Sequence, residues 1–238
     1  MTYVMGWSLK HLRWIPHKLT DEQKQRRVEK SNELLILLRS VFHQSMDYVV
    51  TLDESWFYLS TDYEQIWLPR GIDPPERERK MISSKKVMIT IAWRPSGILL
   101  IKMLPKGRKF NSQYMIEEIL TPLSEMLADV GNRGSRKYVI HMDNAKPHNA
   151  QTVQKFFEVH RLRRAPQPVF SPDVAPTDFF LFGCIKGRLE GQSFDSEETL
   201  LDVIEEIAHS IPPDVLRKTY SNWLERLEAV IASGCNYN

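Results

Sequence analysis

Cysteine is nearly absent from this chain, and its two copies, Cys184 and Cys235, supply neither a disulfide framework nor a zinc-ligand spacing. A reducing, intracellular setting is therefore expected. Long apolar runs are also missing: nothing approaches the roughly 18 residues of a membrane span. The opening MTYVMGWSLKHLRW lacks the apolar centre of a secretory signal, so no membrane partner is expected. Net charge is close to zero, +2 from 32 basic and 30 acidic residues, and does not by itself argue for nucleic acid. No serine elbow, P-loop or Rossmann glycine fingerprint occurs, and no small-molecule cofactor is expected. What remains is a globular composition, 42% hydrophobic and 26% charged, long enough for one large domain or a domain plus a short arm.

Periodicity divides the 238 residues into an arm and helix over 1–46 and a larger unit over 47–238. Pro16 keeps Ile15 extended, and Thr20 with Gln23 has capping-box spacing ahead of a helix whose apolar side includes Leu34, Leu35, Leu38 and Val41. YVVTLD, SWFYLS and EQIWLP then read as strands, followed by a polar, proline-containing loop up to Lys86. KVMITIAW and GILLIKML form a hairpin around Arg94–Gly97, and a helix is expected over about 111–130. KYVIHMD is a further strand, 150–160 a helix, LRRAP a fifth strand and 176–189 a helix. Two more helices close the chain, with Asp195 and Glu198 at capping-box spacing and Gly234 as a stop. Short links suit antiparallel strands and helical links suit parallel ones, so the expectation is an α/β fold with a mixed sheet covered by helices.

Three aspartates stand out in that frame. Asp53 and Asp143 end apolar strand candidates, and Asp178 lies near a helix start, where the dipole keeps a carboxylate ionised. Each alone reads equally well as a turn former or a dipole partner. Together, oxygen ligands at strand ends suit Mg²⁺ or Mn²⁺, and two such ions about 3.5–4 Å apart serve phosphoryl transfer. The pattern points to a metal-dependent nuclease or strand-transfer enzyme. Glu54, adjacent to Asp53, should face the opposite side of the sheet, and Asp173 in Ser-Pro-Asp reads as a turn. His141 and His148 flank Asp143 and either pack structurally or position a phosphate or water. Basic clusters at 24–27, 106–109 and 161–164 offer DNA contacts, with Lys106, Arg108, Lys109 and His148 the candidates.

HMDNAKPHNA followed by FSPDVAPTDFFLFG resembles the hallmark pair of the mariner-type transposases, including the 34 residues between Asp143 and Asp178. VTLDESWF resembles that family's first catalytic strand, WIPHKLT its linker motif, and FDS at 194–196 a later motif. The resemblance implies an RNase H-like five-stranded sheet, an Asp53–Asp143–Asp178 triad binding two Mg²⁺ or Mn²⁺ ions, and cut-and-paste DNA transposition, typically into TA. It further implies a clamp-like insertion over about 61–86 and a homodimer whose linker includes Trp14, Pro16 and His17. A DNA substrate implies the nucleus, or the nucleoid in a prokaryote. Family members carry two helix-turn-helix units before the linker motif, whereas this sequence opens almost at that motif. The alternative expectation is thus a catalytically idle fragment serving dimerisation or DNA scaffolding; an RNase H-type nuclease on RNA–DNA hybrids is a third.

Overall fold

The computed structural model describes residues 18–61, 85–129 and 138–235. The linker residues Trp14, Pro16 and His17, the strand candidate EQIWLP and most of the 61–86 insertion lie outside the described residues. Helix α1 (Asp21–Phe42) begins as its capping box requires: Thr20 Oγ1 accepts from the Gln23 amide at 3.2 Å, and Gln23 Oε1 accepts from the Thr20 amide at 2.9 Å. Its apolar stripe of Leu34, Leu35, Leu38 and Val41 is buried in the main core.

Five strands follow, β1 (Val49–Tyr58), β2 (Lys86–Arg94), β3 (Gly97–Met103), β4 (Val139–His141) and β5 (Arg163–Arg164), in the spatial order β3-β2-β1-β4-β5. The β1–β2 and β2–β3 pairs are antiparallel, and the β1–β4 and β4–β5 pairs parallel. This is the mixed sheet that the link lengths predict. Strand β1 differs from expectation in one respect: YVVTLD and SWFYLS are a single strand, so Asp53 lies inside it instead of ending it. The antiparallel ladder to β2 runs without a break from Thr51 to Tyr58, carrying the chain through the polar Asp53–Ser55 stretch. The β2–β3 hairpin turns through Gly97, whose φ of +147° an L side chain rarely adopts.

Helix α2 starts at Ser112–Tyr114, widens to π geometry over Met115–Leu120 and returns to α geometry over Thr121–Asp129. The widening precedes Pro122, which has no amide to donate and crowds the preceding turn. Helix α3 (Gln151–Val159) follows β4. Helix α4 opens with a second π turn at Thr177–Leu181, here directly after Pro176, and continues over Phe182–Leu189. Helices α5 (Glu197–His209) and α6 (Pro213–Ala232) complete the fold. The cap of α5 is Ser196, accepting from the Thr199 amide at 3.1 Å, one residue later than the Asp195–Glu198 spacing suggested.

Strand alternation sorts the core onto two faces. Val49 and Phe57 of β1 join Ile89, Ile91 and Trp93 of β2 against α1, α4, α5 and α6. Val50, Leu52 and Ala92 turn the other way, onto α2 and α3. Tyr220 of α6 ties the first face to the sheet, its hydroxyl donating to the carbonyls of Val49 and Trp93, both at 3.1 Å.

Candidate active site

The site forms where the parallel ladder stops. Thr51 pairs with His141 in the last rung between β1 and β4, and two residues further along each strand direction stand Asp53 and Asp143. A two-residue step returns a side chain to the same face, so Asp53 leaves β1 on the side of the main core, opposite Ile91. Asp143 lies just past β4, which ends at His141 and not at Asp143 as the apolar pattern suggested. Asp178 is the second residue of the π turn that opens α4.

A buried polar floor holds these elements together. Thr51 Oγ1 lies 3.0 Å from His141 Nδ1 and 3.3 Å from Thr177 Oγ1. Trp93 Nε1 donates to the same Thr177 hydroxyl at 3.1 Å, and His141 Nε2 meets Gln167 Oε1 at 2.5 Å. Burial holds the His141 pKa down, at about 4, so the ring is neutral at pH 7. One hydrogen-bonded layer therefore joins β1, β2, β4, the β5–α4 connection and α4 directly beneath the aspartates. His141 belongs to that layer as a structural residue.

The three carboxylates occupy two different environments. Asp53 is 9% exposed, and Asp178 lies within hydrogen-bonding reach of it. Desolvation raises the pKa of Asp53 well above the ordinary range, and the nearby charges of Asp178, Glu54 and Asp143 push the same way. Asp178 is raised to about 6, again by burial first, with the contact to Asp53 opposing and the Asp143 charge adding. Lys186, two turns along α4, reaches Ser55 Oγ at 2.7 Å over the rings of Phe57 and Phe182, and its charge only partly offsets these carboxylates.

Asp143 is compensated. Its Oδ1 accepts from the Ala145 amide at 2.8 Å and faces His148 Nδ1 at 2.6 Å. Burial alone would raise its pKa, but these two bonds and the charges of His148 and Arg164 bring it below the ordinary value. Arg164 reinforces the loop by donating to the backbone carbonyls of His148 at 2.8 Å and Asp143 at 3.0 Å. A cavity of about 370 Å³ opens beside Asp143 and Asp178, walled by Asn144, Gln167, Phe170 and Ser171.

Other expected contacts fall differently. His148 is 0% exposed, so its ring does not face DNA in this conformation. Its two nitrogens are turned to carboxylates instead. Lys106, Arg108 and Lys109 do lie exposed on the β3–α2 connection, with Arg108 3.4 Å from Glu118. Two of the basic clusters lose a member to contacts within the fold. Arg164 faces the site, and Arg27 is 0% exposed, forming a two-pronged pair with Asp173 at 2.8 and 2.6 Å. Asp173 is thus an ion-pair partner more than a turn residue. Sequence reasoning missed Lys186 and Arg164 as neighbours of the site; the single available signal was Lys186 falling on the face of α4 that follows Asp178 at helical spacing.

The donor set fits a hard divalent cation. All three candidate ligands are carboxylates, and Asp53 and Asp178 lie together with less positive charge than they need. Among the described residues, no three acid, histidine or cysteine side chains converge tightly enough as they stand to cage an ion. The close pair is Asp53 with Asp178, while Asp143 is drawn aside by His148.

Comparison with known proteins agrees with this geometry. A family model described as transposase (partial DDE domain) matches residues 58–127, a stretch between the first two aspartates. The chain is 29% identical over 231 residues to the human (Homo sapiens) histone-lysine N-methyltransferase SETMAR, covering 94% of this chain and 33% of that protein. It is 27% identical over 237 residues to the Mariner Mos1 transposase of Drosophila mauritiana, covering 98% and 68%. Among solved structures, the Mos1 mariner paired-end complex with Mn superposes with a TM-score of 0.86 at 26% identity, covering 98% of this chain and 69% of that one. The chain thus spans a third of the human relative and about two thirds of the fly one. With the sheet order, the covering helices and these matches in agreement, the chain is a homologue of the mariner-type transposases and has their RNase H-like catalytic-domain fold.

Proposed function

We propose that this protein cleaves and transfers DNA strands as the catalytic domain of a cut-and-paste transposase, with Mg²⁺ or Mn²⁺. The observation that carries the reading is the apposition of Asp53 and Asp178, two buried carboxylates with raised pKa values and no full counter-charge, beside a third at Asp143. Asp53 and Asp178 would hold one ion between them, and the unengaged oxygen of Asp143 would complete a site for two. When bound, such ions polarise a phosphodiester oxygen and activate water or a 3′-hydroxyl for attack. The chain's own residues do the remaining work. The Thr51–His141–Thr177 layer fixes the spacing of the three aspartates. Lys186 offers its ammonium to a phosphate at the rim, and Lys106, Arg108 and Lys109 would contact the DNA backbone further out. A homodimer acting on paired DNA ends is part of the same proposal, supported by the likeness to a paired-end complex.

The test is strand cleavage and strand transfer on a pre-cut duplex end at low salt, comparing Mg²⁺, Mn²⁺ and EDTA, with Asp53→Ala alongside. Metal-dependent products lost in the variant are expected. A folded protein that gives no product with either metal, or equal product in EDTA, contradicts the proposal.

A further inference from the structure

Glu54 points away from Asp53, as strand parity requires, yet it meets the site from behind. Its Oε2 lies 3.1 Å from His148 Nε2, while His148 Nδ1 lies 2.6 Å from Asp143 Oδ1. The 3.1 Å contact is an ion-pair distance off the line of a good hydrogen bond, and Nε2 has no better-aligned partner. The ring is fully buried, and Phe110 packs edge-on against it with centroids 5.9 Å apart. A ring that faces a carboxylate at each nitrogen cannot flip without turning carbon towards both, so the Glu54 contact from β1 helps to set its direction towards Asp143.

We propose that Glu54 and His148 form a tether that positions Asp143, committing its Oδ1 to the protein and leaving its Oδ2 for a divalent cation. This deepens the metal reading above and rests on it. Asp143 sits on a loop past a three-residue strand, where the backbone alone constrains it weakly. The tether passes the rigidity of the ten-residue strand β1 to that loop. Glu54 thereby acts on Asp143 through His148, the residue that touches it. Both are positioning residues, and neither contacts substrate.

The two ring nitrogens give a decisive test, because Asn and Gln mimic them separately. His148→Asn places an amide where Nδ1 was, preserving donation to Asp143; His148→Gln places it where Nε2 was, preserving only the Glu54 end. Mn²⁺ affinity of the metal-binding protein, read by calorimetry or electron paramagnetic resonance and not by turnover, is the observable, with melting curves to confirm folding. We expect His148→Gln to weaken Mn²⁺ binding by about 10–100-fold, the usual cost of losing a partner of a metal ligand. His148→Asn should stay closer to wild type, and Glu54→Ala should fall between them. Equal affinities for His148→Asn and His148→Gln, or wild-type affinity in His148→Gln, would overturn the tether. If His148→Gln does not fold, Glu54→Ala decides, and unchanged affinity overturns it. Asp53→Ala separates the two levels: binding lost there but untouched by the His148 and Glu54 changes leaves the metal reading standing without the tether. Binding untouched by Asp53→Ala removes both.

Discussion

Asp143 and the Asp53–Asp178 pair gather at the same end of the parallel β1–β4 ladder, yet the protein treats them in opposite ways. Asp143 is surrounded by donors, namely His148, the Ala145 amide and the charge of Arg164, and its acidity is increased. Asp53 and Asp178 face each other across a desolvated gap, and their acidity is decreased. The difference shows which half of the site the fold completes by itself and which half it leaves short of positive charge. A folded protein tolerates such a deficit where a ligand is meant to cancel it, since apposed buried carboxylates otherwise cost stability.

The largest expected effect lies in activity. Asp53→Asn and Asp178→Asn should both reduce metal-dependent strand cleavage to background, measured on a pre-cut duplex. Stability should then divide the two environments by sign. In metal-free protein at pH 7.5, Asp178→Asn relieves a buried repulsion and should stabilise, on the order of 1–3 kcal/mol by chemical denaturation. Asp143→Asn instead deprives a buried His148 of its partner. Because the Asp143 side chain is 43% exposed, the loss should be held by solvent screening to about 1–2 kcal/mol. Equal signs for the two variants would break the comparison.

Protonation sharpens it further. Asp178 is raised to about 6, so its contribution is fully present below pH 4 and is lost as pH rises towards 6. His148, raised to about 10 against the opposing effect of burial by its bond to Asp143 and its ion-pair contact with Glu54, contributes below pH 6.5 and loses that contribution as pH climbs to about 10. His141 runs the other way: held near 4, it contributes above pH 6.5 and loses that as pH falls towards 4. In the wild type the Asp178 and His141 effects oppose each other between pH 4 and 6. The melting-temperature advantage of Asp178→Asn over wild type should therefore grow across that interval, in metal-free buffer. The smallest expected effect is at Lys186. Lys186→Gln should reduce the slope of log affinity for DNA against log salt by about 1 without abolishing binding.

The sheet was legible in the sequence because alternating and β-branched runs mark strands whatever their partners. Asp53 and Asp143 stood out for the same reason, each interrupting or following such a run, and Asp178 by its place near a helix start. What misled was that same interruption: Asp53, Glu54 and Ser55 break the apolar pattern of β1, so one ten-residue strand read as two. The polar stretch is the site itself. Side-chain destinations were less accessible still. Arg27 and Arg164 counted as members of basic surface clusters, yet one is buried against Asp173 and the other bonds the carbonyls behind Asp143. The parity of Glu54 was readable from β1 alone. Its meeting with His148 was not, because it depends on how a loop 94 positions later folds back under the strand end.

The most direct test of the charge deficit is the melting temperature of the protein at pH 7.5 with and without saturating Mn²⁺, in wild type, Asp53→Asn and Asp178→Asn. A ligand that binds only the folded state at 100 times its dissociation constant stabilises by about 2.7 kcal/mol. An upward shift matching stabilisation of that order in wild type, nearly abolished in both variants, is the expected result. An equal Mn²⁺ shift in all three proteins would contradict it, because the ion would then bind somewhere other than between Asp53 and Asp178.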